Sequence, residues 1–211
     1  ESVTSAATEG VVVNVNDAPS GSVTISGTAT EDETLTAVTG TIVDEDGLGS
    51  FSYQWSRAGS AISGATSASY TLTQADVGSA ITVTVNYTDS LDTAESVTSA
   101  ATGSVANVND APSGSVTISG TTAEDEVLTA ANTLADEDVM GTITYTWSNG
   151  ATGSTTTLGQ SDVGSALTVT ATYTDGQGSG ESVTSAATEG VVVNVNDAPS
   201  GSVTISGTTA E

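Results

Sequence analysis

Oxygen is the one strong ligand and acid–base atom that this chain offers in quantity. The sequence has no Cys, no His and no Lys, and its single basic side chain, Arg57, stands against 26 Asp and Glu. Without imidazole, thiolate or amine, the usual general base, the thiolate metal sites, the disulfide and the Schiff-base lysine are all excluded. Lysine–asparagine isopeptide staples are excluded too, and none of the many Ser and Thr has a His or Lys to activate it. A pair of carboxylates alone suffices for glycoside hydrolysis, but the acids here fall in loop clusters with no concave site suggested, so the chain reads as a non-enzyme. What clustered carboxylates and Asn side chains do well is hold a hard divalent cation.

The acids are periodic. The block NVNDAPSGSVTISGT starts at Asn14, Asn107 and Asn194, and it holds all three prolines, Pro19, Pro112 and Pro199. Asp17, Asp110 and Asp197 recur at intervals of 93 residues (17 to 110) and 87 residues (110 to 197). Other landmarks keep the same phase: E-D-E at Glu31 and Glu124, D-E-D at Asp44 and Asp136, Y-x-W at Tyr53 and Tyr145, D-V-G at Asp76 and Asp162, and Y-T-D at Tyr87 and Tyr173. Such a period marks a tandem array of small domains. The second copy is shorter mainly between its Trp and its D-V-G, where a hairpin has been trimmed. Residues 1–28 are identical to 181–208. The expected organisation is a last strand of a preceding repeat at 1–16, repeats at 17–108 and 109–195, and a first strand of a following repeat at 196–211. The end fragments read as a window from a longer repetitive chain; the rival reading is that they are ends which pair with neighbouring chains.

Strands must position these acids. Ile81, Val83, Val85 and Tyr87 alternate with polar residues, as do Tyr53 and Trp55, Tyr70 and Leu72, Val23 and Ile25, and Val11, Val13 and Val15. A period of two with Thr or Ser on the other face describes a sheet packed on one side. Turn residues fall about every eight to twelve positions, the spacing of a sandwich. The first repeat is expected to form strands near 20–28, 34–43, 51–57, 60–63, 68–74, 79–89 and 95–107. The fold class is all-β: seven-stranded immunoglobulin-like (cadherin-like) sandwiches arranged end to end. Trp55, Leu35, Val83 and Val85 are the expected core of the first repeat; Trp147, Leu128, Val169 and Ala171 are that of the second.

Antiparallel strands alternate in direction, so the loops gather at two poles. The carboxy-terminal pole of the first repeat carries Glu31, Asp32, Glu33 and Asp76. The amino-terminal pole of the second carries Asp136, Glu137, Asp138 and Asp175. Asn107, Asn109 and Asp110 lie on the linker between them. The next junction repeats the set with Glu124, Asp125, Glu126, Asp162, Asn194, Asn196 and Asp197. The first repeat opens with Asn16, Asp17, Asp44, Asp46 and Asp89. Two anionic rims placed end to end repel, and a shared cation reverses that sign. Calcium accepts six to eight oxygens from carboxylates, amides, carbonyls and water, whereas magnesium demands octahedral geometry and keeps its waters. Ca2+ is therefore the expected ion. The plainer alternative is that these are solvated loop acids that keep the surface soluble. No D-x-D-x-D-G loop is present; D-E-D-G at 44–47 matches it only loosely.

NVNDAPSGSVTISGT, DEDGLGSFSYQW, AISGATSASYTLTQADVG and ITVTVNYTD together resemble the tandem immunoglobulin-like, cadherin-like repeats of giant bacterial surface adhesins of the RTX and biofilm-associated types. The N-V-N-D-A-P linker is similar to the calcium linker of cadherins, with Asn107 in place of its first Asp and one Asn lost before Ala111. The resemblance implies an extracellular, calcium-stiffened extender on the bacterial surface that holds a distal binding domain away from the cell. Each domain would supply about 40 Å of rod from strands rising ~3.3 Å per residue. Its partners would be neighbouring repeats of the same chain. The alternatives are a self-assembling filament joined through strands or poles, and a module binding sugar or ice through Thr-rich strands such as Thr82–Thr84 and Thr168–Thr170. The formal charge of −25 disfavours nucleic acid and anionic membranes as partners, and no run of about 20 apolar residues is available to insert in a bilayer.

Overall fold

The computed structural model of the protein describes residues 1–7, 10–11 and 13–207. The chain divides into two compact units, Glu1–Val108 and Asn109–Glu211. Of the expected end fragments, residues 8, 9, 12 and 208–211 lie outside the described residues. The described remainder of 1–16 and 196–207 forms no strand.

The first unit contains β1 (Thr24–Ser26), β2 (Thr34–Val38), β3 (Ser52–Arg57), β4 (Ser60–Ala61), β5 (Ser69–Thr71), β6 (Ile81–Thr88) and β7 (Ala94–Thr98). They form two sheets, β1-β2-β5 and β4-β3-β6-β7, and every strand pair is antiparallel. Alternation in β6 places Ile81, Val83, Val85 and Tyr87 inside. They share one core with Leu35 of β2, Leu72 and Trp55, so the sheets close as a sandwich. Trp55 is fully buried, and its Nε1–H donates to the Ser67 carbonyl at 2.9 Å, which satisfies the one polar atom it brings inside. On the opposite face of the same strands, threonine hydroxyls pair across neighbours, as Thr84 with Thr98 at 2.9 Å. The Thr-x-Thr runs are thus the outward side of alternating strands.

The second unit contains β8 (Val116–Ser119), β9 (Val127–Asn132), β10 (Thr144–Trp147), β11 (Thr155–Thr157), β12 (Val169–Thr174) and β13 (Gly180–Thr184). Its sheets are β8-β9-β11 and β10-β12-β13. Trp147, Leu128, Val169 and Ala171 are buried together. Among the described residues the expected fourth strand has no counterpart here, so the seven-strand count holds for the first unit alone. The shortened segment turns back after Trp147, and a single bridge, Thr146 to Thr152, covers the edge that β4 lines in the first unit. The turn supplies what the Trp needs: Gly153 offers the carbonyl for Nε1–H at 2.9 Å.

The repeated block has a steric logic. Gly21 and Gly114 take φ of +90° and +92°, and a Cβ on either would fall 1.9 Å from the Thr41 carbonyl oxygen or 2.3 Å from that of Thr133. Only glycine permits both the left-handed turn and the close approach that lay the first strand onto its sheet.

Candidate metal centre

At the amino-terminal pole of each unit the loop after the second strand is wound around its first acid. Asp44 Oδ1 accepts the Asp46 amide at 2.9 Å, and Asp136 Oδ1 accepts the Asp138 amide at 2.9 Å. The other oxygen of each accepts a tyrosine hydroxyl at 2.5 Å, Tyr87 to Asp44 and Tyr173 to Asp136. Burial, together with that bond to a carboxylate, raises both tyrosine pKa values far above the usual range, so both hydroxyls remain donors. Asp44 and Asp136 therefore fix the loop, and this aims the third acid at the chain segment leading in. Asp17 donates its amide to Asp46 at 2.7 Å, and Asp110 donates its amide to Asp138 at 2.9 Å. The Asn14 side-chain amide also donates to Asp46. The carboxylates of Asp110 and Asp138 each offer an oxygen within 4.8 Å of the other, and Asp138 is fully buried.

Asp89 and Asp175 complete that pole. One oxygen of each closes the hairpin between the last two strands: Asp89 Oδ1 accepts Leu91 and Thr93 amides at 2.8 Å, and Asp175 Oδ1 accepts Gln177 and Ser179 amides at 2.8 Å. The second oxygen, Oδ2, is buried without a hydrogen-bond partner in both residues. A buried carboxylate oxygen left unpaired is costly, and the same cost is met at the same place in both units. An oxygen-seeking cation suits such an atom.

At the carboxy-terminal pole, Glu31 and Glu124 are 3% and 4% exposed, although each opens an E-D-E loop. Glu31 Oε2 accepts the Val108 amide at 3.2 Å, and Glu124 Oε2 accepts the Val195 amide at 3.1 Å. Asn107 Oδ1 is buried there with no partner, whereas Asn194 Oδ1 accepts Gln160 Nε2 at 3.1 Å.

The remaining acids and amides from the sequence are placed differently. Asp32, Glu33 and Glu126 are exposed on the loop rim. Asn16, Asp17, Asn194, Asn196 and Asp197 are exposed on the linker segments. Asp76 is fully buried, with both its oxygens hydrogen-bonded to protein: Oδ1 accepts Arg57 Nε at 2.7 Å, and Oδ2 accepts Tyr70 Oη, the Thr73 amide and the Thr73 hydroxyl at 2.8, 2.9 and 3.1 Å. Asp162, its counterpart, accepts the Gly159 amide at 2.9 Å. In the second unit Asn149 and Thr156 replace Arg57 and Tyr70 and contact each other at 3.4 Å. Asp76 thus ties a turn to two strands. Burial works against its ionisation, but the Arg57, Thr73 and Tyr70 hydrogen bonds outweigh it and hold the carboxyl below the ordinary value of 3.8.

A depressed folded pKa gives a definite sign. The contribution of Asp76 is fully present above the unfolded carboxyl range near pH 4 and is lost as pH falls through the lower folded value. Asp76→Ala is expected to destabilise the first unit by about 2 kcal/mol, less than a fully buried pair because Arg57 is partly exposed. Urea melts of the chain at pH 7 and pH 2 check it. The variant loses stability at pH 7, and the difference narrows as pH falls below the unfolded carboxyl range.

Two residues of the amino-terminal pole lie outside the acids singled out by the loops. Glu95 accepts the Asn16 side-chain amide at 2.9 Å, and Glu181 accepts that of Asn109 at 2.9 Å. Both sit in strands rather than loops. The signal that would have found them is the recurrence of E-S-V-T-S-A at Glu1, Glu95 and Glu181.

No protein-family model matches the chain, and no curated protein sequence matches it. A solved structure described as a tetra-tandem repeat in the extending region of a large adhesion protein is similar at 23% identity and a TM-score of 0.31. The match covers 82% of this chain and 50% of that one, so the chain spans about half the length of that structure. A score this low says nothing about shared fold or role.

Proposed function

We propose that the chain is a spacer of an extracellular adhesin, built from repeated sandwiches whose junctions are stiffened by calcium. The observation that carries this reading is the double capture of one short linker. Glu31 accepts the amide of Val108, and Asp138 accepts the amide of Asp110. Those amides are two residues apart, hence at most about 7 Å from each other however the two units are disposed. Asp110 adds its own carboxylate to the same stretch. Three acids tied to one tripeptide, with no basic residue but Arg57 in the chain, repel unless a cation joins them. Carboxylate oxygens without nitrogen or sulfur donors select a hard cation over transition metals, and calcium tolerates an irregular set of them where magnesium demands octahedral geometry.

A groove of about 440 Å3 in the second unit is lined by Val116, Ile118, Leu128, Ala186, Thr188 and Glu189 among others, which gives one carboxylate and no second acid or base. Among the described residues no helix is long and apolar enough to cross a membrane. Near-copying of whole units fits a function of length rather than of discrimination.

Calorimetric titration of calcium into the chain tests the reading. Saturable binding is expected, with the Glu31→Gln/Asp138→Asn double variant losing roughly 1.4 kcal/mol or more of affinity, tenfold or greater. Titration heats indistinguishable from dilution in the parent chain would remove the metal from the account.

A filament joined through strands is the second reading. Val11, Val13 and Val15 are 93%, 80% and 78% exposed, yet their sequence is that of 191–195, where Val193 bridges Ala123. A chain that stays monomeric in the ultracentrifuge at high concentration with calcium excludes it.

A further inference from the structure

The segment leaving each unit is fastened in a way that the cation does not explain. In the first unit the chain runs from the Ser20–Val43 bridge at the amino-terminal pole, through β1 and its Ser26–Thr36 pair, to Thr30 at the opposite pole. After β7 the chain reaches the same pole as residues 105–108 and pairs parallel with both Thr30 and Val77. Ala106 donates to the Ala29 carbonyl at 2.9 Å, and Glu31 donates to the Ala106 carbonyl at 2.9 Å. Gly78 donates to the Val105 carbonyl, and Val105 to that of Ser79, both at 2.9 Å. The Val108 amide adds the Glu31 carboxylate. Val105 is buried to 2% exposure, which keeps water from these bonds.

The second unit repeats the arrangement bond for bond. Val193 donates to Thr122 at 3.0 Å, Glu124 to Val193 at 2.9 Å, Gly164 to Val192 at 2.9 Å and Val192 to Ser165 at 2.9 Å. Val192 is 1% exposed, and the Val195 amide meets Glu124.

We propose that each unit bears tension, and that the parallel pairing of residues 29–31 with 106–108, and of 122–124 with 193–195, is the clamp that resists it. A pull on the chain before Ser20 draws residues 29–31 toward the amino-terminal pole. A pull after Val108 draws residues 105–108 the other way. Parallel segments drawn in opposite directions slide along their length, so the bonds between them, which run across the strands, must fail together. Bonds peeled from one end fail in turn, each against a small barrier. Forced unfolding follows the barrier and not the equilibrium stability, so the resistance belongs to this direction of loading. The clamp consists of protein–protein bonds alone and does not rest on the calcium reading, although Glu31 and Glu124 belong to both.

Single-molecule pulling on the full chain tests this. The chain has no cysteine of its own, so two introduced cysteines define the direction of force. Ala18→Cys with Val108→Cys loads the first unit from pole to pole; Glu33→Cys with Val108→Cys peels residues 105–108 from one end. Unfolding along the axis is expected to need about twice the peeling force or more at the same loading rate. Equal forces in the two directions would overturn the proposal. Ala106→Pro removes the amide that bonds Ala29 and should bring the axial force down to the peeling value; an unchanged axial force in that folded variant also overturns it. If Ala106→Pro does not fold, the two directions decide the matter. Repeating both pulls in chelator separates this inference from the cation. The difference between directions persists if the clamp is protein alone. A difference that vanishes in chelator sinks the clamp and leaves calcium stiffening in place.

Discussion

Chelating calcium is expected to lower the melting temperature of the chain by roughly 10–20 °C. An ion held at a hundred times its dissociation constant adds about 2.7 kcal/mol to the folded state, and a unit of this size shifts by about 4–8 °C per kcal/mol. The effect has two sources. One is the pair Asp110 and Asp138, whose carboxylates lie within reach of one ion and repel each other without it. The other is the pair of unpartnered oxygens on Asp89 and Asp175, which are buried with nothing to accept from. Differential scanning calorimetry in calcium and in excess chelator measures it, with magnesium as the comparison. Restoration by calcium and not by magnesium is the expected pattern. A melting temperature unmoved by chelator means that no ion joins these acids.

Trp147→Ala is expected to cost the second unit about 3–5 kcal/mol while leaving the first unit's transition in place. The side chain is 2% exposed and lies among Leu128, Leu158 and Val169. Its loss opens a cavity and strips the Gly153 carbonyl of the Nε1–H that it accepts. Against a total stability of about 5–15 kcal/mol for a small domain, the change removes a large share. Each unit has its own core, so urea unfolding followed by far-UV circular dichroism should resolve two transitions in the variant, while the fluorescence of the surviving Trp55 should follow the more stable one alone. A single transition shifted as a whole would mean that the units unfold as one.

The core was legible because it rests on local alternation. Ile81 to Tyr87 read inward by parity, and the structure buries those four side chains. The tryptophans were legible for the same reason, since a large indole on an alternating strand has few places to go but the interior. The ends of strands were less so: the stretch 20–28 reads as one strand, but only Thr24–Ser26 pairs continuously, because the turn at Gly21 and the bend at Gly27 use up its flanks. The roles of single acids were hardest to read. Asp76 looks like any loop acid until Arg57 and Tyr70, 19 and 6 residues away, are brought to it by the pairing of different strands. Asp44 and Asp136 gave no sign that Tyr87 and Tyr173 would reach them from 43 and 37 residues away. Glu95 and Glu181 carry no such signal in their surroundings, because they sit on strands, where a lone acid usually faces water. Spacing along the chain carries periodicity; it does not carry which side chain will meet which across a sheet.

Crystals of the chain grown in calcium, with anomalous scattering recorded from the metal, test the central claim most directly. The account predicts a peak about 2.3–2.6 Å from carboxylate oxygens of Asp110 and Asp138. Well-ordered density around Pro112 with no such peak, and with those carboxylates turned out into water, would contradict it.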